Sequence, residues 1–78
     1  MNWRERITSD KDILAGKPVI KGTRLSVEFL LGLFANGWTE TKVLENYPSL
    51  NKEDLQAVFA FAQDGVKEGL IFDHKISV

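Results

Sequence analysis

Residues 38–62, WTETKVLENYPSLNKEDLQAVFAFA, leave few folds open. They read as two helices joined by a tight polar corner. Thr39 and Asn51 each stand where a helix begins, and a short side-chain oxygen there accepts hydrogen bonds from free backbone N–H groups of the opening turn. Trp38 precedes one cap and Leu50 the other, while Val43 and Leu55 fall at the fourth helical position, so both helices start on a hydrophobic staple. Asp54, at the third helical position, is set to reach back to the N–H of Asn51 as a variant of the capping box. Pro48 biases Tyr47 away from helical geometry and stops the earlier helix at the corner Tyr47-Pro48-Ser49. The pattern is that of a helix-turn-helix.

A further helix precedes this pair. Ser26 is its N-cap, Leu25 and Leu30 form a third staple, and Gly37 is suited to the left-handed residue that ends a helix. Helix starts are therefore expected near 27, 40 and 52. On the first helix, Val27, Leu30, Leu31 and Phe34 share one side and Phe29 and Leu33 the other. A helix that is apolar on two sides has two partners to bury against: its own three-helix core, and either another subunit or the amino-terminal strands. On the third helix the expected buried stripe is Leu55, Val58, Phe59, Ala62 and Val66, with Gly69 as the stop. Phe61 lies off that stripe. Two readings stand open for it: an aromatic leaning on the strands, or an anchor for a partner, since Phe is enriched at buried interface centres.

The first 25 residues are of another kind. Residues 3–9 (WRERITS) alternate and tolerate a strand, which puts Trp3, Glu5 and Ile7 on one face. Val19-Ile20 is a second short extended piece, held to an edge or a strand start by Pro18. Two such strands are unstable alone and need a helix to lie on or a second copy to pair with. Gly22 suits a turn requiring positive φ, Thr23 suits closing that turn, and Arg24 has Glu28 and Glu45 as possible partners. The carboxyl-terminal stretch LIFDHKISV (residues 70–78) starts apolar and then alternates. It either packs back on its own domain or orders on a partner. The expected fold is mainly α, a three-helix helix-turn-helix bundle with a short N-terminal β element. It forms a single domain over 1–78, with an arm (1–25), a helical core (26–69) and a tail (70–78).

Composition narrows the function. A chain of 78 residues buries only a marginal core, so self-association or a partner is a natural supplement. With no cysteine and one histidine, disulfides, thiol nucleophiles and Cys-ligated metals are excluded, and a transition-metal site is not expected. No cofactor is expected. The start MNWRER lacks an apolar signal core, and no run is long enough to span a membrane, so a cytoplasmic location is the expectation. The net charge of −1 hides an asymmetry: residues 1–25 carry six basic groups against three acidic ones, and residues 26–78 four against eight. Phosphate, if met at all, would be met by the amino-terminal third. The segment GKPVIKGT does not make a phosphate-binding loop, because Lys21 precedes Gly22 and Pro18 removes a backbone donor.

An enzyme is not expected. His74 is the sole side chain titrating near neutrality and lies in the tail. Asp10, Asp12, Glu53 and Asp54 could be drawn as a magnesium site, but helical neighbours 53 and 54 diverge by about 100°. Solvated surface acids account for them better.

The segments Gly16-Lys17-Pro18-Val19-Ile20-Lys21-Gly22-Thr23-Arg24, Val27, Leu31, Gly37-Trp38, Tyr47-Pro48-Ser49-Leu50 and Asp54-Leu55 resemble the signatures of the bacterial domain-of-unknown-function 433 family. The resemblance spans roughly residues 5–65. That family is similar to VapB-type antitoxins of type II toxin–antitoxin systems, whose genes often lie beside a small PIN-like ribonuclease toxin. The resemblance implies a homeodomain-like three-helix domain with a short N-terminal β element, usually dimeric. It points to an antitoxin that binds a PIN-like toxin and operator DNA. The alternative is a protein–protein interaction module without DNA binding. In a DNA-reading helix-turn-helix the start of the last helix enters the major groove. Lys52 and Gln56 suit such contacts there, while Glu53 and Asp54 would repel the backbone. Lys17, Lys21 and Arg24 are the candidates for phosphate. Phe29, Leu33, Phe61, Ile71 and Phe72 are the candidates for a dimer or partner interface.

Overall fold

The three helix starts are built as their caps dictate. In the computed structural model, which describes residues 1–69, the helices are α1 (Val27–Ala35), α2 (Glu40–Asn46) and α3 (Lys52–Lys67). Ser26 Oγ accepts from the Phe29 N–H at 2.9 Å, and Thr39 Oγ1 from the Lys42 N–H at 3.1 Å. At the head of α3 the box closes both ways: Asn51 Oδ1 accepts from the Asp54 N–H at 2.9 Å, and Asp54 Oδ2 accepts from the Asn51 N–H at 3.0 Å. The inner residues of the three staples, Leu30, Val43 and Leu55, are all buried. Local capping and burial therefore agree, which is what fixes a helix of seven or nine residues whose own propensity is marginal.

Gly37 ends α1 with φ +90°, and the two bonds of a Schellman motif are present: Gly37 N–H to Phe34 O and Trp38 N–H to Leu33 O, both 3.0 Å. This reversal turns Trp38 back along the helix it has just left. α2 and α3 pack on one another, and α1 packs on α3. Ile7, Ile20, Val27, Leu30, Val43, Leu50, Leu55, Ala57 and Val58 form one core.

The arm contributes a two-stranded antiparallel ribbon, β1 (Ile7–Thr8) with β2 (Val19–Ile20), in the register Ile7–Ile20 and Thr8–Val19. Ile7 and Ile20 are buried in the core with the helices, and Val19 is buried as well, the support that so short a ribbon needs. Its turn is closed by Thr23, whose hydroxyl donates to Ile20 O at 2.8 Å and accepts from the Leu25 N–H at 3.0 Å. Gly22 supplies φ +78° there.

Two expectations are corrected. Trp3, Glu5 and Ile7 do not share a strand face, because Trp3–Glu5 is a 3-10 turn. Asn2 caps it by accepting from the Arg4 N–H at 3.1 Å, and Trp3 is drawn sideways onto α3. The buried stripe of α3 is also rotated. Phe59 and Val66 are 46% and 53% exposed, whereas Asp54 and Ala57 are buried. The cause is the arm: its 3-10 turn packs on α3 more extensively than either neighbouring helix does, and it covers a side that the apolar pattern does not mark.

Candidate functional site

The arm is fixed to α3 by two polar side-chain contacts, one at each end of the helix. Trp3 Nε1–H donates to Asp64 Oδ2 at 2.6 Å, and the Trp3 ring meets Phe61 edge to face, with centroids 4.8 Å apart. Arg6 Nη1 donates to Asp54 Oδ1 at 3.1 Å and to Asn51 Oδ1 at 3.3 Å. Asp54, Ala57, Phe61 and Asp64 recur at intervals of three and four, so they form one row along α3. That row is the seat of the arm.

The geometry changes what the head of α3 presents. Asp54 is 7% exposed, with one carboxylate oxygen in the capping box and the other on Arg6. Its charge is thus turned inward and compensated, and of the two acids expected to repel a phosphate backbone only Glu53 faces solvent. Lys52 and Gln56 are exposed beside it. The Lys21 N–H donates to Arg6 O at 2.9 Å, which makes Lys21 the cross-strand neighbour of the residue that grips the helix. Arg24 follows in the same turn. Lys21, Arg24 and Lys52 are exposed and make no ion pair among the described residues. Lys17 is engaged elsewhere. It lies beyond the other end of the ribbon and donates to Glu28 Oε1 at 2.9 Å. That hydrogen bond, with the Lys17 charge behind it, holds the Glu28 carboxyl below its ordinary value of 4.5. Glu28 is thus taken by Lys17, and Arg24 pairs with neither acid suggested for it.

Arg6 was not among the sequence candidates. It contributes to the basic count of the arm, but its position at the head of α3 follows from a contact spanning 48 residues. The capping box supplied half of the signal, by marking where an inward carboxylate would sit.

Of the interface candidates, Phe29 is 43% exposed and lies edge-on to Tyr47, with centroids 5.8 Å apart. Leu33, one turn further along α1, is half-buried. Phe61 is half-buried against Trp3. Ile71 and Phe72 lie outside the described residues. Near the end of α3 a cavity of about 360 Å³ opens between the arm and the helix, lined by residues that include Trp3, Arg4, Leu31, Phe61, Asp64 and Glu68. Among the described residues no three His, Cys, Asp or Glu side chains gather as a metal ion would need, and no helix is long and apolar enough to cross a membrane. Asp10, one of the acids considered for magnesium, accepts from the Asp12 N–H at 2.9 Å and so caps a local turn.

A short ribbon is clamped across the last of three capped helices, and the sequence with this architecture falls in a recognised group. Residues 7–62 match the family described as "Protein of unknown function (DUF433)", and the chain belongs to that family. It is 38% identical over 60 residues to the uncharacterised protein y4eO of Sinorhizobium fredii. That match takes in 77% of this chain and 27% of the relative, so the chain spans about a quarter of the relative's length. The crystal structure of a DUF433 member from Anabaena variabilis superposes with a TM-score of 0.75 at 27% identity, over 81% of this chain and 62% of that one.

Proposed function

We propose that the chain is a non-enzymatic, cytoplasmic antitoxin-like protein that acts as a dimer, binds a PIN-like toxin and, with it, contacts operator DNA. The observation that supports this reading is the Arg6–Asp54 contact. It withdraws an acid from the head of α3 and holds the turn bearing Lys21 and Arg24 on the ribbon strand that is bound to that helix. Lys21, Arg24 and Lys52 then serve phosphates, and Gln56 a base edge. Lys17, already paired with Glu28, contributes less. Phe29 and Leu33, on the outer side of α1, supply apolar surface for the second copy.

The test has two arms. Affinity capture of the tagged protein from its own cells, with mass identification, is expected to recover a small PIN-like protein in fixed ratio. Titration of a duplex from the protein's own promoter, across a salt series and with the partner present, is expected to show tighter binding than to random DNA. Replacing Lys21 and Arg24 by Glu should flatten the dependence of log K on log salt by about 2, as two phosphate contacts are lost. Equal affinity for promoter and random duplex, or an unchanged salt slope, would overturn the DNA assignment.

The second reading, a protein–protein module without DNA binding, is favoured by the exposed aromatic surface at Phe29 and Phe59. It predicts fixed-ratio capture of a partner together with no promoter preference.

A further inference from the structure

The turn that ends α1 holds a reactive pair of residues in an unreactive shape. Asn36 alone among the asparagines precedes a glycine; Asn2, Asn46 and Asn51 precede Trp3, Tyr47 and Lys52. Asparagine is thermally labile, because the backbone nitrogen of the next residue can attack its side-chain carbonyl carbon. Glycine carries no side chain to obstruct that approach. In this reaction the bond from the backbone nitrogen to Cγ forms and the Cγ–Nδ2 bond breaks. Ammonia leaves with the proton of the attacking N–H. Water, the one co-reactant, then opens the five-membered imide at either carbonyl. One product is aspartate. The other is isoaspartate, in which the main chain runs through Cβ.

Three features of the turn oppose this reaction. The nucleophile is engaged, since the Gly37 N–H donates to Phe34 O at 3.0 Å. The leaving group is engaged, since Asn36 Nδ2 donates to Gly32 O at 2.8 Å. The torsion also opposes it. Ring closure needs Cβ and the Gly37 nitrogen on the same side of the Asn36 Cα–C bond, but at ψ 13° the nitrogen of Asn36 itself stands there. The Schellman motif holds this arrangement through Gly37 at φ +90° and the Trp38 N–H on Leu33 O. Asn36 and Gly37 are both exposed, so water meets the pair as soon as the turn opens.

We infer that Asn36 is a latent modification site: the native end of α1 keeps it intact, and opening of that end converts it, one way, to aspartate or isoaspartate. Isoaspartate lengthens the main chain by one methylene ahead of Gly37. The N–H groups of Gly37 and Trp38 then fall out of register with the carbonyls of Phe34 and Leu33. Aspartate keeps the main-chain path, but it loses the donor to Gly32 O and sets a carboxylate at the negative end of the helix. Trp38 packs on the core and stands directly before Thr39, the N-cap of α2. The modified chain therefore carries a weakened junction between α1 and α2, and its abundance records the time spent open. This chemistry requires neither a partner nor nucleic acid.

The experiment uses the full chain. One sample is kept native in neutral buffer and one is unfolded in guanidinium chloride. Both are digested at intervals and mass-mapped at every asparagine. In the unfolded sample Asn36 is expected to convert ahead of Asn2, Asn46 and Asn51. In the native sample its conversion is expected to be at least about tenfold slower. Equal rates in the two states would overturn the gating by the turn, and no preference for Asn36 in the unfolded sample would overturn the site itself. Amide exchange gives a second readout, on the isoaspartyl chain isolated and returned to native buffer. Its Trp38 amide is expected to exchange about tenfold or more faster than in the unmodified chain, while the Leu30 amide keeps its protection. Undiminished protection at Trp38 would contradict the one-way loss of the turn.

Discussion

The arm and the helices are stabilised by opposite means. Each helix is specified within about five residues of its start: Ser26 with Leu25 and Leu30, Thr39 with Trp38 and Val43, Asn51 with Leu50 and Leu55. In the arm local specification is confined to its turns, at Asn2, Asp10 and Thr23. Its strands are two residues each, and it is positioned by contacts that span 61 residues (Trp3 to Asp64) and 48 residues (Arg6 to Asp54). The helical half is therefore written in neighbours and the arm in tertiary contacts. Lys21 and Arg24 belong to the half that depends on the other.

The largest effect should come from the shared core. Leu30→Ala, at a fully buried position, is expected to cost about 3–5 kcal/mol in denaturant unfolding and to loosen both halves together. Trp3→Ala should separate them. A loss of about 2 kcal/mol is expected from the half-buried ring and its hydrogen bond, concentrated in the ribbon amides. An equal loosening of α1 would mean that arm and helices open as one cooperative unit.

Next comes the clamp. A double-mutant cycle on Arg6→Ala and Asp54→Asn is expected to give a coupling of about 1 kcal/mol, since the pair is partly buried and charge-assisted. No coupling would detach Arg6 from the head of α3. Gly22→Ala has open space around the added Cβ, so only the positive φ opposes it, at about 1 kcal/mol. The smallest effect belongs to Lys17→Ala. The Glu28 carboxyl should titrate higher by NMR, back toward 4.5, with no measurable change in melting at neutral pH. Because the folded carboxyl is held below its ordinary value, whatever the pair contributes is present above pH 4.5 and is lost as pH falls through the folded value.

This division also explains what could be read from the chain. All three helix starts, the reciprocal box at Asn51 and Asp54 and the Gly22–Thr23 turn were legible because their partners lie within a few residues, and the extended piece at Val19-Ile20 because Pro18 precedes it. The row Asp54, Ala57, Phe61 and Asp64 was not legible. A search for apolar periodicity passes over a stripe carrying two carboxylates, and favours Phe59 and Val66, which face out. The acids are tolerated there because each has a dedicated donor from the arm: Arg6 for Asp54 and the Trp3 indole for Asp64. Nothing local to either acid announces that donor. Lys21 and Arg24 could be nominated from charge alone, but the pairing of Lys21 with Arg6, the residue that reaches α3, could not be foreseen.

The measurement that bears most directly on this dependence is native-state hydrogen exchange on the unmodified chain and on Trp3→Ala. The Lys21 amide, which donates to Arg6 O across the ribbon, is the reporter, and the α1 amides are the reference. Faster exchange at Lys21 in the variant, about tenfold or more, with α1 still protected, is the result expected if the arm, although its Ile7 and Ile20 share the core, is held in place mainly through Trp3 on α3. Unchanged exchange at Lys21, or a rise of equal size throughout α1, would contradict it.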